Sequence, residues 1–197
     1  MRRSYDSSRR LEAAERTRRD IVQAAIKLHW DGITDFAALA EEAGCSVSTV
    51  RKHFPTKEHV FRDCTRAFAE TLELPDPEAI ARIEGRAARV EHAIRELLRV
   101  HESMFGYAWY SAQARADSPA LDAVMTSYEQ LADAISDVIA PAGSERAGLV
   151  RGLLDFLTYR ALRTSGGLSP DAAFEQTHEA VRHALRIDSP DPTRSTT

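Results

Sequence analysis

From Leu11 to Leu185 apolar residues recur at three- and four-residue intervals, and no stretch alternates with period two. That pattern predicts helices throughout and an all-α protein. Leu11 opens the first helix, whose stripe of Ile21, Ala24, Ala25 and Leu28 stops near Asp31-Gly32. Asp35 is placed to cap a short segment from Phe36 to Ala43 that Gly44 ends, and Ser46 to cap another from Val47 to about Phe54, stopped by Pro55. Thr56 is the expected cap of a fourth helix running to about Leu74. Pro75-Asp76-Pro77 cannot continue a helix and marks a domain boundary.

Beyond that boundary the periodicity resumes. Val90, Ile94, Leu97, Leu98, His101, Met104 and Phe105 form one stripe, followed by the aromatic cluster Tyr107, Trp109 and Tyr110. Ser118-Pro119 and Ser169-Pro170 each pair a cap with proline at the first helical position. The first opens a helix that Pro141 closes, and the second a final helix to about Leu185. Between them one helix is expected from Ser144 to about Ser165, ended by Gly166-Gly167. The organisation read from the chain is a flexible basic arm over 1–10, a helix-turn-helix domain with a connecting fourth helix over 11–74, a larger helical domain over 75–187, and a disordered tail over 188–197.

The stretch from Phe36 to Phe54 has the spacing of a helix-turn-helix. Such a motif needs a small residue where its helices cross, a glycine in the turn, and an apolar residue offered by the second helix to the first. Ala40, Gly44 and Val50 stand at those offsets, with Leu39, Cys45 and Phe54 completing a core. An ordinary αα-corner is the alternative.

Residues 18–61 resemble the DNA-binding domain of TetR-type transcriptional regulators. The likeness rests on Ile21, Ala24-Ala25 and Leu28, then Leu39-Ala40 and Ala43-Gly44-Cys45-Ser46, then Thr49-Val50 and His53-Phe54-Pro55-Thr56-Lys57-Glu58. Four departures stand out: His29 replaces a usual aromatic, Ser48 a smaller residue, Arg51 a tyrosine that commonly meets phosphate, and the connection between the first two helices is about four residues shorter. The resemblance implies an N-terminal three-helix domain that binds a double-stranded operator with an inverted repeat. It also implies a helical body that dimerises and holds a small-molecule effector of unknown identity.

With Val50 and Phe54 turned inward, Val47, Ser48, Arg51 and Lys52 face the major groove or its rim, and Thr49 sits at the border. Phosphate contacts fall to Arg51, Lys52, His53 and Lys57, with a further backbone contact from Thr34. Base reading falls to Val47, Ser48 and Thr49, and to Arg51 or Lys52 where either reaches a guanine edge. Symmetric half-sites require two copies, and the excess apolar surface around Leu149, Val150, Leu153, Leu154, Phe156, Leu157 and Ala161 points to a homodimer through the last two helices. His101, Met104, Phe105, Trp109, Tyr110, Met125, Tyr128, Phe156 and Tyr159 are the candidate effector-binding residues, with plain core packing as the alternative.

Composition sharpens this picture in two ways. The net charge of −4 alone argues against a nucleic-acid binder. Its distribution does not: residues 1–60 carry eleven Lys and Arg against nine Asp and Glu, the remainder fifteen against twenty-one, and seven arginines precede residue 20. Cys45 and Cys64 are read as buried small hydrophobes, and neither a secretory signal nor an apolar run long enough to span a membrane is present, so a cytoplasmic location is expected. No nucleotide-binding, nucleophile-elbow or zinc-protease pattern occurs, so neither enzymatic activity nor a cofactor is expected. His178 and His183 lie five residues apart, which turns the second imidazole about 140° from the first and disqualifies them as a metal pair. A helical ligand-binding module or adaptor without DNA binding remains the alternative.

Overall fold

A computed structural model describes residues 2–187, with side chains from residue 9 onward. All regular structure among the described residues is helical. The elements are α1 (Arg2–His29), α2 (Phe36–Glu42), α3 (Val47–His53), α4 (Lys57–Ala69), α5 (Pro77–Ala81), α6 (Arg86–Ser103), α7 (Phe105–Ala114), a 3-10 turn (Arg115–Asp117), α8 (Pro119–Ile139), α9 (Ala147–Leu153), α10 (Phe156–Thr164) and α11 (Pro170–Ala184). No helix among them is long and apolar enough to cross a membrane.

Local chemistry sets most helix starts. Asp35 Oδ1 accepts from the amides of Ala37 and Ala38 at 3.0 and 2.9 Å, and Ser46 Oγ from that of Thr49 at 3.1 Å. Ser169 Oγ accepts from Ala172 N at 3.2 Å. Thr56 sits at the cap position of α4, yet its hydroxyl bonds His59 Nδ1 at 2.7 Å, so the expected side-chain cap is not made.

Several boundaries differ from the sequence reading. α1 begins at Arg2, so residues 2–10, expected as an arm without regular structure, are helical. α4 ends at Ala69, with turns carrying the chain on to Leu72. α5 is an additional helix: Asp76 Oδ1 accepts from Glu78 N at 2.9 Å and Pro77 supplies the first position, which is the cap-plus-proline signal seen at residues 118–119 and 169–170. The stripe through Phe105 breaks at Met104, where α6 gives way to α7. The single helix expected over 144–165 is two, divided at Leu154-Asp155, because Asp155 takes an extended conformation and its carboxylate caps α10 through Leu157 N at 2.7 Å. Ser144 caps nothing there, since α9 starts at Ala147 after Arg146. The expected tail over 188–197 lies outside the described residues.

The chain forms two compact units, and their limits are not those drawn from the prolines. One holds the chain up to Leu72 together with Met104–Ser127; the other holds Glu73–Ser103 and the chain from Tyr128 onward. The first unit is centred on Ile21, Ala25, Leu39, Val50, Phe54, Val60 and Cys64, all essentially inaccessible. α7 joins it because the backbone approaches closely: a Cβ on Gly106 would stand 2.5 Å from the Trp30 carbonyl oxygen. A polar seam reinforces the contact, with His29 Nδ1 3.2 Å and Tyr107 Oη 3.4 Å from Cys64 Sγ. In the second unit α11 packs on α6, α9 and α10, and Val90, Ile94, Leu97, Val150, Leu154 and Val181 are buried. α8 gives its start, through Ser127, to the first unit and its remainder to the second.

Candidate nucleic-acid interface

The helix-turn-helix is built on the residues its spacing singled out. Leu39, Ala40, Val50 and Phe54 are buried between α1, α2, α3 and α4. Gly44 has φ +62°, a left-handed value that costs an L-residue about 1–2 kcal/mol and that lets the chain turn between α2 and α3. The Cys45 amide closes the corner on Ala40 O at 2.9 Å. Cys45 itself is only half-buried, unlike the fully enclosed Cys64, so the reading of both as buried holds for one.

Burying Val50 and Phe54 turns the opposite side of α3 to solvent. Val47, Ser48, Arg51 and Lys52 are exposed, and Thr49 and His53 are half-buried. Ser46 organises the start of this face: its Oγ lies 2.8 Å from both Ser48 Oγ and Thr49 Oγ1 while holding the Thr49 amide. The Arg51 guanidinium lies 5.1 Å from the Phe36 ring centroid, a cation–π contact that holds the charge at the α2 side of α3. Neither Ser46 nor Phe36 was a candidate from sequence, though the cap signal at Ser46 was visible.

Two further contacts bring the remaining candidates to the same end of the unit. Lys57 Nζ lies 3.4 Å from Thr34 Oγ1, joining the first turn of α4 to the entry of α2. The amino terminus of α4 adds the positive end of a helix dipole beside Lys57. Arg18 of α1 fastens the opposite side: Nη1 donates to the His53 carbonyl at 2.9 Å, Nη2 to the buried Asp63 carboxylate, and the guanidinium stacks 4.3 Å from the Phe54 centroid. Sequence counting entered Arg18 only among the seven arginines before residue 20, and nothing local identifies Asp63, 45 positions away, as its partner.

Glu58 follows Lys57 and binds the start of α8, accepting from Ser118 Oγ at 2.6 Å and Ala120 N at 2.8 Å. His29 is buried in the same unit, its ring 5.0 Å from the Phe61 centroid. Burial lowers its pKa to about 4, with the Lys57 charge adding to the effect, so the ring is neutral. A proton on Nδ1, donated to Cys64 Sγ, leaves the partnerless Nε2 as a bare acceptor, which costs less than a bare N–H.

The candidate effector residues divide between the units. His101, Tyr128, Phe156 and Tyr159 come together in the second, where the His101 ring lies 5.7, 5.7 and 5.5 Å from the other three centroids. His101 is fully enclosed: Nε2 donates to Leu154 O at 2.9 Å and Nδ1 accepts from the Tyr128 hydroxyl. Burial holds its pKa at about 4. Tyr159 donates to Glu102 at 2.5 Å, and Arg163 holds the same carboxylate and lowers its pKa. The Tyr159 ring also borders a groove of about 370 Å³ with Leu98, Ser103 and Phe174. Met104, Phe105, Trp109, Tyr110 and Met125 belong to the first unit, where Met104 and Met125 are buried and Tyr110 lies against Gly32.

Two solved structures show the same fold. A putative TetR-family transcriptional regulator from Mesorhizobium loti aligns with a TM-score of 0.61 over 88% of this chain and 97% of its own, at 17% identity. A transcriptional regulator from Rhodococcus sp. Rha1 aligns with a TM-score of 0.59 over 91% of this chain and 99% of its own, at 21% identity. No family model matches the sequence, and no curated protein does. These likenesses establish the all-α architecture, a helix-turn-helix followed by a helical body.

Proposed function

We propose that this chain is a TetR-type transcriptional regulator: a homodimer that binds an inverted-repeat operator and is released from it by a small molecule. The observation that carries the reading is the α3 surface. Val50 and Phe54 are fully buried, so Val47, Ser48, Arg51 and Lys52 are turned outward on an α-helix, an element whose width a major groove admits. Phosphate-facing donors flank that surface at Arg51, Lys52, His53 and Lys57, with Thr34 beside Lys57.

Dimerisation is supported by Leu149 and Leu157, each more than half exposed on α9 and α10. A ligand that fits only the arrangement unable to span two half-sites lowers operator affinity, and operator lowers ligand affinity by the same factor. The cluster around His101 and the groove beside Tyr159 each bring aromatic and polar groups together in the second unit, as an effector site would need.

The test is selection of duplexes from a random-sequence pool with the full-length protein, followed by binding measurements across a range of salt. The regulator reading predicts a recovered inverted repeat and an affinity that falls steeply with salt. Lys57→Ala should weaken binding to selected and scrambled duplexes alike and reduce the salt slope by about 0.9 for each phosphate no longer neutralised. Recovery of no sequence, with salt-insensitive binding, contradicts the reading.

A further inference from the structure

The start of α3 carries three hydroxyl groups in mutual contact, two of them on residues placed to read bases. We propose that Ser46 is a positioning residue that sets specificity: it fixes the hydroxyls of Ser48 and Thr49 in opposite hydrogen-bonding senses, so that one reaches the operator as a donor and the other as an acceptor. The proposal rests on the regulator reading above.

Ser46 and Ser48 are exposed and Thr49 is half-buried. Ser46 Oγ accepts from the Thr49 amide at 3.1 Å and lies 2.8 Å from both Ser48 Oγ and Thr49 Oγ1. Each hydroxyl contact at that separation holds a single proton between its two oxygens. A hydroxyl has one proton and two lone pairs. The amide occupies one lone pair, which leaves Ser46 one proton and one lone pair for two neighbours. One neighbour therefore receives the Ser46 proton, and the other gives its own.

Ser46 is then saturated and offers nothing to the duplex itself, so the contacts fall to its neighbours. The hydroxyl that gives its proton to Ser46 keeps lone pairs alone and can only accept. The one that receives keeps its proton and can donate. This restriction selects among partners. Phosphate oxygens only accept, as do guanine N7 and O6 and thymine O4 in the major groove. The accepting hydroxyl can meet none of them; it fits an amino group, adenine N6 or cytosine N4. Ser48 and Thr49 thus cannot both lie on phosphates, nor both on one guanine edge. Hydroxyls that are not linked carry no such restriction, because each turns its own proton to suit its partner.

The experiment is the random-pool selection with the full-length protein and its Ser46→Gly, Ser46→Thr, Ser48→Ala and Thr49→Val variants, followed by affinity measurements on base-substituted duplexes. Glycine is tolerated at a helix cap, so Ser46→Gly removes the shared hydroxyl at small cost to α3. It should lower discrimination of adenine from guanine, or of cytosine from thymine, by about fivefold at one symmetric position, and Ser46→Thr should preserve it. With Ser46 in place, Ser48→Ala should relax the base preference at the position read by Thr49 as well as at its own, since Ser46 then pairs with Thr49 in either sense. A role in capping alone predicts instead that Ser46→Gly weakens binding to selected and scrambled duplexes alike and recovers the unchanged repeat, a result that overturns the proposal. Ser48→Ala and Thr49→Val effects confined to separate positions overturn it too, whatever the fold of the glycine variant. Either outcome leaves the regulator reading standing, whereas an unmodified protein that recovers no duplex at all overturns both.

Discussion

Single side chains decide how firmly the α3 surface is held. Arg18 supplies a charged hydrogen bond to Asp63, a second bond to the His53 carbonyl and a stacked guanidinium on Phe54. Asp63 is 7% exposed, so Arg18→Ala would leave a carboxylate enclosed without its main partner. A loss of about 2–4 kcal/mol in unfolding free energy is expected by urea titration, only partly restored by Arg18→Lys, whose ammonium lacks the planar fork. The buried imidazoles give a second prediction. His29 and His101 have folded pKa values of about 4 against an ordinary 6.5, so the unfolded chain takes up protons that the folded one refuses. Their contribution is complete above pH 6.5 and is lost progressively as pH falls toward 4. At pH 5 each costs about 2 kcal/mol of stability relative to pH 7, and His29→Phe should remove about half of that combined drop in denaturation at the two pH values.

Among the elements, those with terminal signals were legible in the sequence and those divided by tertiary contacts were not. Asp35, Ser46 and Ser169 announced their helices through side chains that do cap them. The break at Leu154-Asp155 carried half a signal, the aspartate cap. Its other half is distant: His101 takes the Leu154 carbonyl that an unbroken helix would have used, and Thr158 Oγ1 bonds Gly152 O at 2.7 Å across the gap. Met104 carries no glycine or proline to mark the end of α6, and the glycine two residues on, Gly106, acts through packing against Trp30. Gly106→Ala would place its methyl against a backbone oxygen that cannot turn aside. It should destabilise the protein by about 1–3 kcal/mol in thermal or chemical unfolding, whereas Gly148→Ala, where nothing lies within 4 Å, should be neutral or slightly stabilising.

For the whole molecule, the all-α class and the helix-turn-helix followed from periodicity and from a few small residues at fixed offsets. Where the two units divide did not, because Met104–Ser127 joins the first unit through contacts more than thirty positions distant in sequence, such as Cys64 with Tyr107. The nine candidate effector residues were chosen as aromatic or polarisable side chains at helical spacing, and that criterion does not distinguish the two units. The outward face of α3 is a different case: burial of Val50 and Phe54 is enough to orient a seven-residue helix, and the base contacts proposed for its exposed side can be tested one position at a time. The most direct measurement is a repeat of the random-pool selection with Val47→Ala and Ser48→Ala variants of the full-length protein. If α3 reads the operator, each variant recovers an inverted repeat changed at one or two symmetric positions; recovery by both of the unchanged sequence at unchanged affinity would contradict it.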